Sequence, residues 1–114
     1  MTMQENKSVI CDLIESGSSG DWHRLEDLVA EDYVDHCKWK NREGLIQTIR
    51  TFREVYPDFK IRVDEIIAEG EAVAARVIAT GSATGEEGEA SALVWFRLKE
   101  GKVVEQWGHS KSFF

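Results

Sequence analysis

The stretch Ala92 to Ser110, ALVWFRLKEGKVVEQWGHS, leaves the chain less choice than any other part of it. Two apolar-rich runs, Leu93 to Leu98 and Val103 to Trp107, flank Lys99, Glu100, Gly101 and Lys102. A glycine between two such runs supplies the positive φ of a tight reversal, so the segment reads as a β-hairpin. In its first strand Val94, Phe96 and Leu98 alternate with Leu93, Trp95 and Arg97, which requires cover on at least one side. In the return strand, simple alternation puts Val103, Glu105, Trp107 and His109 on one face and Val104, Gln106 and Gly108 on the other. A face holding a carboxylate, an indole and an imidazole makes a poor pure core and a plausible pocket wall.

Upstream the pattern changes from two-residue to helical spacing. Gln4 to Glu15 carries Val9, Ile10, Leu13 and Ile14 on one stripe, and Ser16 to Gly20 is expected to break it. Asp21 can cap a second helix with Trp22, Leu25, Leu28 and Val29 inside. Tyr33 to Trp39 reads as a short extended segment. Asn41 opens a third helix, striped by Leu45, Ile46, Ile49, Phe52 and Tyr56, and the only proline, Pro57, closes it. Then come strands. Phe59, Ile61 and Val63 alternate with charged residues, and Ile66–Ile67 breaks the alternation as a bulge near Glu65 would. Ala72 to Thr84 is the next strand, Gly85 to Glu89 a loop, and the hairpin follows.

Helices first and an antiparallel meander afterwards define an α+β domain, with about three helices from the N-terminal half packed on the concave face of a strongly bent, mostly antiparallel sheet. Small residues at Ala74, Ala75, Ala79 and Gly81 and the suspected bulge allow the bend, so the expected shape is a cone-shaped barrel with an interior. With 114 residues the chain forms one domain, 1–114.

A formal charge of −7 argues against nucleic acid as a partner, since phosphate binding needs clustered Lys and Arg. No apolar run approaches the roughly 20 residues that cross a bilayer, so no membrane partner is expected. The N-terminal residues lack a secretory pattern, and the expected location is the cytoplasm. Cys11 and Cys37 form no ligand-spaced cluster and read as reduced thiols, and the three histidines include no close pair, so neither a disulfide framework nor a metal site is expected.

Four strings in order, Tyr33-Val34-Asp35-His36, Phe52 to Phe59 (FREVYPDF), Ile66 to Gly81 (IIAEGEAVAARVIATG) and Phe96 to Trp107 (FRLKEGKVVEQW), are similar to the SnoaL-like polyketide cyclase family of the nuclear transport factor 2-like superfamily. The resemblance runs from about residue 5 to 110. It implies a cone with an apolar pocket, often a homodimer packed through the sheet, and chemistry of the cyclase, isomerase or lyase kind without a cofactor. Fold alone does not carry activity, because the superfamily also hosts non-catalytic modules. One departure bears on this. The family's cyclases commonly carry an acid a few residues beyond the last-strand tryptophan, whereas Trp107 is followed by Gly108, His109, Ser110 and Lys111. The cyclase activity itself is therefore not carried over.

Candidate residues follow from proton-transfer chemistry, which histidine performs near neutral pH with the least perturbation. His109 is a candidate acid/base if its face lines the cone, and an idle solvated group otherwise. His36 is the second. Neighbouring side chains on a strand point to opposite faces, so Asp35 orients His36 poorly if the segment is extended, and Asp32 or Glu105, reached through space, is the better partner; Glu105 and Asp35 are the candidate orienters. Glu105 itself is either a general base or one half of a salt bridge to Arg76 or Arg97. Arg76 is either a pocket cation or a structural partner to a carboxylate. Tyr33, Trp39, Trp95 and Trp107 offer aromatic surface to a small, apolar, carbonyl-bearing molecule. His23 reads as a surface group. The rival to an enzyme is a ligand-binding or dimerisation module of the same fold.

Overall fold

The computed structural model describes residues 1–37 and 39–110, and only the backbone of Glu86, Glu87, His109 and Ser110. Helix α1 spans Met3–Ser19 and begins with a reciprocal cap, in which the Thr2 hydroxyl accepts from the Glu5 N–H and the Glu5 carboxylate accepts from the Thr2 N–H. It runs four residues beyond the expected break. Ser16 bonds back to the Asp12 and Leu13 carbonyls, and the Ser18 hydroxyl accepts the Ile61 N–H, so these small polar residues are satisfied while buried against the sheet. Gly20, at φ 81°, ends the helix. Helix α2, Trp22–Leu28, is capped by Asp21, and α3, Arg42–Val55, by Asn41.

Strand β1 is Val29–Asp35, so extended structure begins and ends earlier than the sequence suggests. Val29 is in it because it pairs with Val103, a partner 74 residues away that local spacing cannot reveal. The remaining strands are β2 (Lys60–Glu69), β3 (Ala72–Thr80), β4 (Glu89–Lys99) and β5 (Lys102–Ser110). Their order is β1-β5-β4-β3-β2, with β1 parallel to β5 and every other neighbour antiparallel. The β4–β5 reversal is a two-residue loop with Glu100 at φ 52° and Gly101 at φ 80°, the pair of positive values a type I′ turn demands. Strand β3 stops at Thr80 rather than Thr84 because Gly81, at φ 116°, turns the chain into a 3₁₀ segment, Ser82–Glu87.

The sheet is mixed and open, and with three helices on one face it makes a cone-like α+β fold rather than a closed barrel. The bulge expected near Glu65 falls between Val63 and Glu65. The core under the helices holds Ile10 and Leu13 of α1, Leu25 of α2, Ile46 of α3, Tyr33, Val73, Phe96, Leu98 and Val103. Phe96 and Leu98 are each 1% exposed, whereas Leu93 and Trp95 are 59% and 45% exposed, so the alternation in β4 separates a covered face from an open one.

Candidate functional site

A second irregularity decides where the candidate residues go. Leu98 pairs with Val103 while the next residue back, Arg97, pairs with Glu105, so Val104 is an extra residue in β5. The bulge resets the alternation. Val103 is fully buried in the helix-covered core, but Glu105 stands beside Arg97 on the open face. The simple parity that grouped Val103 with Glu105, Trp107 and His109 is therefore corrected at Val104. From Glu105 onward the alternation resumes, with Glu105 and Trp107 outward and Gln106 and Gly108 on the helix side, opposite Phe96 and Val94.

The parallel pairing of β1 on β5 brings the two distant halves of the site together. Val34 lies beside Glu105 and Asp35 beside Gln106, and the backbone N–H of His36 donates to the Gln106 carbonyl at 2.9 Å. His36 follows on the open side. Its Nε2 lies 2.8 Å from Glu105 Oε2, and its ring stacks on Trp107 at 4.6 Å between centroids and 13° between planes. Glu105 Oε1 in turn lies 3.4 Å from Arg97 Nε. Trp39, at φ 55° in the turn after β1, is 78% exposed and meets the imidazole edge-on at 6.0 Å. A positive φ is uncommon for a tryptophan, and here it leaves a large apolar side chain in solvent beside His36.

Glu105 is thus the carboxylate that meets His36, with Asp35 on the other face. Asp35 is buried, and its Oδ1 accepts the Cys37 N–H at 2.9 Å. Tyr33 is also buried, donating its hydroxyl to Gln106 Oε1 at 2.8 Å, and burial pushes the phenol far above its ordinary value of 10.0, with the nearby Asp35 adding to the effect. Tyr33 is accordingly core rather than exposed aromatic surface. The Cys37 thiol donates to the Gly108 carbonyl at 3.0 Å and accepts its N–H at 3.2 Å, a tie between the β1 turn and β5 that sequence spacing does not signal.

Arg76 is exposed and pairs with Asp64 instead of Glu105; Asp64 also lies 3.4 Å from Arg62. It borders a groove of about 350 Å³ on the open face, lined by Glu65, Ile67, Ala74, Leu93 and Trp95 among others. The backbone of His109 sits in β5 opposite Leu93, and its side chain lies outside the described residues. His23 is a surface group, 91% exposed and 3.8 Å from Asp27.

The site therefore gathers His36, Glu105, Arg97, Trp107 and Trp39 at the β1–β5 edge of the open face, next to Trp95. Glu105, Trp107 and Trp95 do not line the helix-covered interior, because each alternates with a residue that does. No helix among the described residues is long and apolar enough to cross a membrane.

Known proteins agree with this architecture. The family model for the SnoaL-like polyketide cyclases matches residues 8–111. The chain belongs to that family. Its fold superposes on IdmH, a candidate polyketide cyclase from Streptomyces antibioticus, with a TM-score of 0.83 and 28% identity over 93% of this chain and 91% of that one. A candidate polyketide cyclase from Bacillus cereus gives a TM-score of 0.83 at 22% identity, covering 94% of this chain and 74% of that chain. A candidate ketosteroid isomerase from Kribbella flavida gives 0.77 at 16% identity, covering 98% and 82%. No curated protein sequence matches the chain. Membership of the SnoaL-like polyketide cyclase family supports a small-molecule role of the cyclase type.

Proposed function

We propose that this SnoaL-like protein is a cofactor-independent isomerase or cyclase that moves a proton on a planar, apolar, carbonyl-bearing substrate, with the His36 imidazole as acid/base group. The observation that carries the reading is the 2.8 Å contact between His36 Nε2 and Glu105 Oε2 on an aromatic floor. A carboxylate that holds an imidazole in one orientation is the arrangement that makes histidine an effective base. The imidazole takes the proton α to the carbonyl, the C–H electron pair moves onto the carbonyl oxygen as an enolate, and the proton returns to carbon. Trp107 and the exposed Trp39 and Trp95 supply flat apolar surface for the substrate.

The test is α-proton exchange in D₂O on a flat bicyclic ketone, α-tetralone, followed by proton NMR. Wild type should accelerate exchange, and His36→Gln should lower the acceleration by about 10²-fold or more, the usual contribution of a general base. Equal rates for the two proteins would refute the role of His36.

A second reading has its own observation. Ile67, Leu93 and Trp95 are 70%, 59% and 45% exposed on the same open face, an arrangement suited to a second copy of the chain packed sheet to sheet. Under that reading the domain is a dimerisation or ligand-binding module. Sedimentation velocity separates the two, since Trp95→Glu should then convert a dimer to a monomer.

A further inference from the structure

Glu105 has two carboxylate oxygens and spends them on different partners. Oε2 meets His36 Nε2 at 2.8 Å and Oε1 faces Arg97 Nε at 3.4 Å. Arg97 and Glu105 are directly opposed across β4 and β5, and the bulge at Val104 sets that register, so the two side chains leave the sheet side by side. A guanidinium stays charged at every accessible pH, so Arg97 gives Glu105 Oε1 a permanent cationic partner. An ionised carboxylate only accepts hydrogen bonds, so in the neutral imidazole the proton must sit on Nε2. Stacking on Trp107 favours this orientation of the ring. Among the described residues Nδ1 has no hydrogen-bond partner.

We propose that Arg97 is a positioning residue, which acts through Glu105 to hold neutral His36 as the Nε2–H tautomer and so makes Nδ1 the nitrogen that exchanges a proton with substrate. This rests on the reading of His36 as the acid/base group. In the step, the substrate proton moves to the Nδ1 lone pair, the C–H electron pair becomes the enolate, and the resulting imidazolium keeps its Nε2–H on Glu105. Return of a proton from Nδ1 to carbon restores the starting charges, and replacement of the Nδ1 proton by a solvent deuteron before that return is what the exchange in D₂O reads.

The experiment is ¹⁵N NMR of histidine-labelled protein at about pH 9, above the ordinary histidine value of about 6.5. Wild type should show Nε2–H as the sole neutral tautomer of His36, with a slowly exchanging Nε2 proton. Glu105→Ala should give mixed tautomers and lose the slow exchange. Arg97→Gln should speed exchange of the Nε2 proton roughly threefold, the factor a half-exposed ion pair carries, and Arg97→Lys should restore it in part. An Nδ1–H tautomer in wild type, or identical exchange rates in wild type and Arg97→Gln, would overturn the proposal. Should Glu105→Ala fail to fold, Glu105→Gln replaces it and should also speed exchange. If the wild-type tautomer is as expected but His36→Gln leaves α-tetralone exchange unchanged, the positioning of His36 stands and its catalytic role falls.

Discussion

Replacing Gly81 with alanine tests whether the end of β3 is held as tightly as the structure indicates. Gly81 has φ 116° and ψ −178°, a region essentially reserved for glycine, and forcing alanine there costs about 1–3 kcal/mol in backbone strain. A Cβ at this position would lie 2.7 Å from the Asp58 carbonyl oxygen, 3.1 Å from its carbon and 3.2 Å from the Phe59 Cα, all backbone atoms. Relief requires the 58–59 segment to move, yet the Asp58 carboxylate accepts from both the Ser82 N–H and hydroxyl at 2.8 Å. Loss of a typical hydrogen bond adds roughly 1 kcal/mol, so the total is about 2–4 kcal/mol. Gly70→Ala is the control, because Gly70 also has positive φ, 58°, but a Cβ there meets nothing within 4 Å. That variant should lose only about 1–2 kcal/mol, the left-handed penalty alone. Urea unfolding followed by tryptophan fluorescence measures both. Equal losses at the two positions would show that the close approach at Asp58 is not a constraint, and the reasoning would fail.

Tyr33→Phe should destabilise by about 1–3 kcal/mol, since it leaves the Gln106 side-chain oxygen without its buried donor, and unfolding in urea reads the loss directly. The same variant should change the alkaline limb of stability. The folded phenol is held protonated above its ordinary 10.0, so its contribution is complete below that value and is lost as the pH rises beyond it through the raised one, and this loss should vanish in Tyr33→Phe. Asp58 works in the opposite sense. The hydrogen bonds from Ser82 hold its carboxyl below the ordinary 3.8, so its contribution is present above that value and fades as the pH falls through the lowered one. Denaturation midpoints across the acid range should therefore fall less steeply for Asp58→Asn than for wild type; parallel curves would rule the contribution out.

Much of the architecture was legible because it is local. Asp21 and Asn41 mark helix starts by their ability to accept a hydrogen bond from the first turn, and both do so. The hairpin around Gly101, the bulge near Glu65 and the alternation of β4 were readable from residue type and spacing alone. Errors fell where a distant partner overrides a local signal. Ser16 to Ser19 look like a terminator, but their side chains find acceptors and donors in the helix and β2, so the helix continues. Tyr33 offers the same aromatic surface in sequence as Trp39, and only the packing of α3 and the Gln106 bond make one of them core.

The sequence by itself determined the element types, the hairpin and the pool of chemistry-bearing residues, because capping, turn geometry and periodicity act within a few residues. Tertiary structure alone decided which of those residues meet. His36 and Glu105 are 69 positions apart, and they touch only because β1 adds in parallel to β5. A single extra residue, Val104, then turns Glu105 and Trp107 away from the helices, because strand side chains alternate with a period of two and one insertion reverses every face after it.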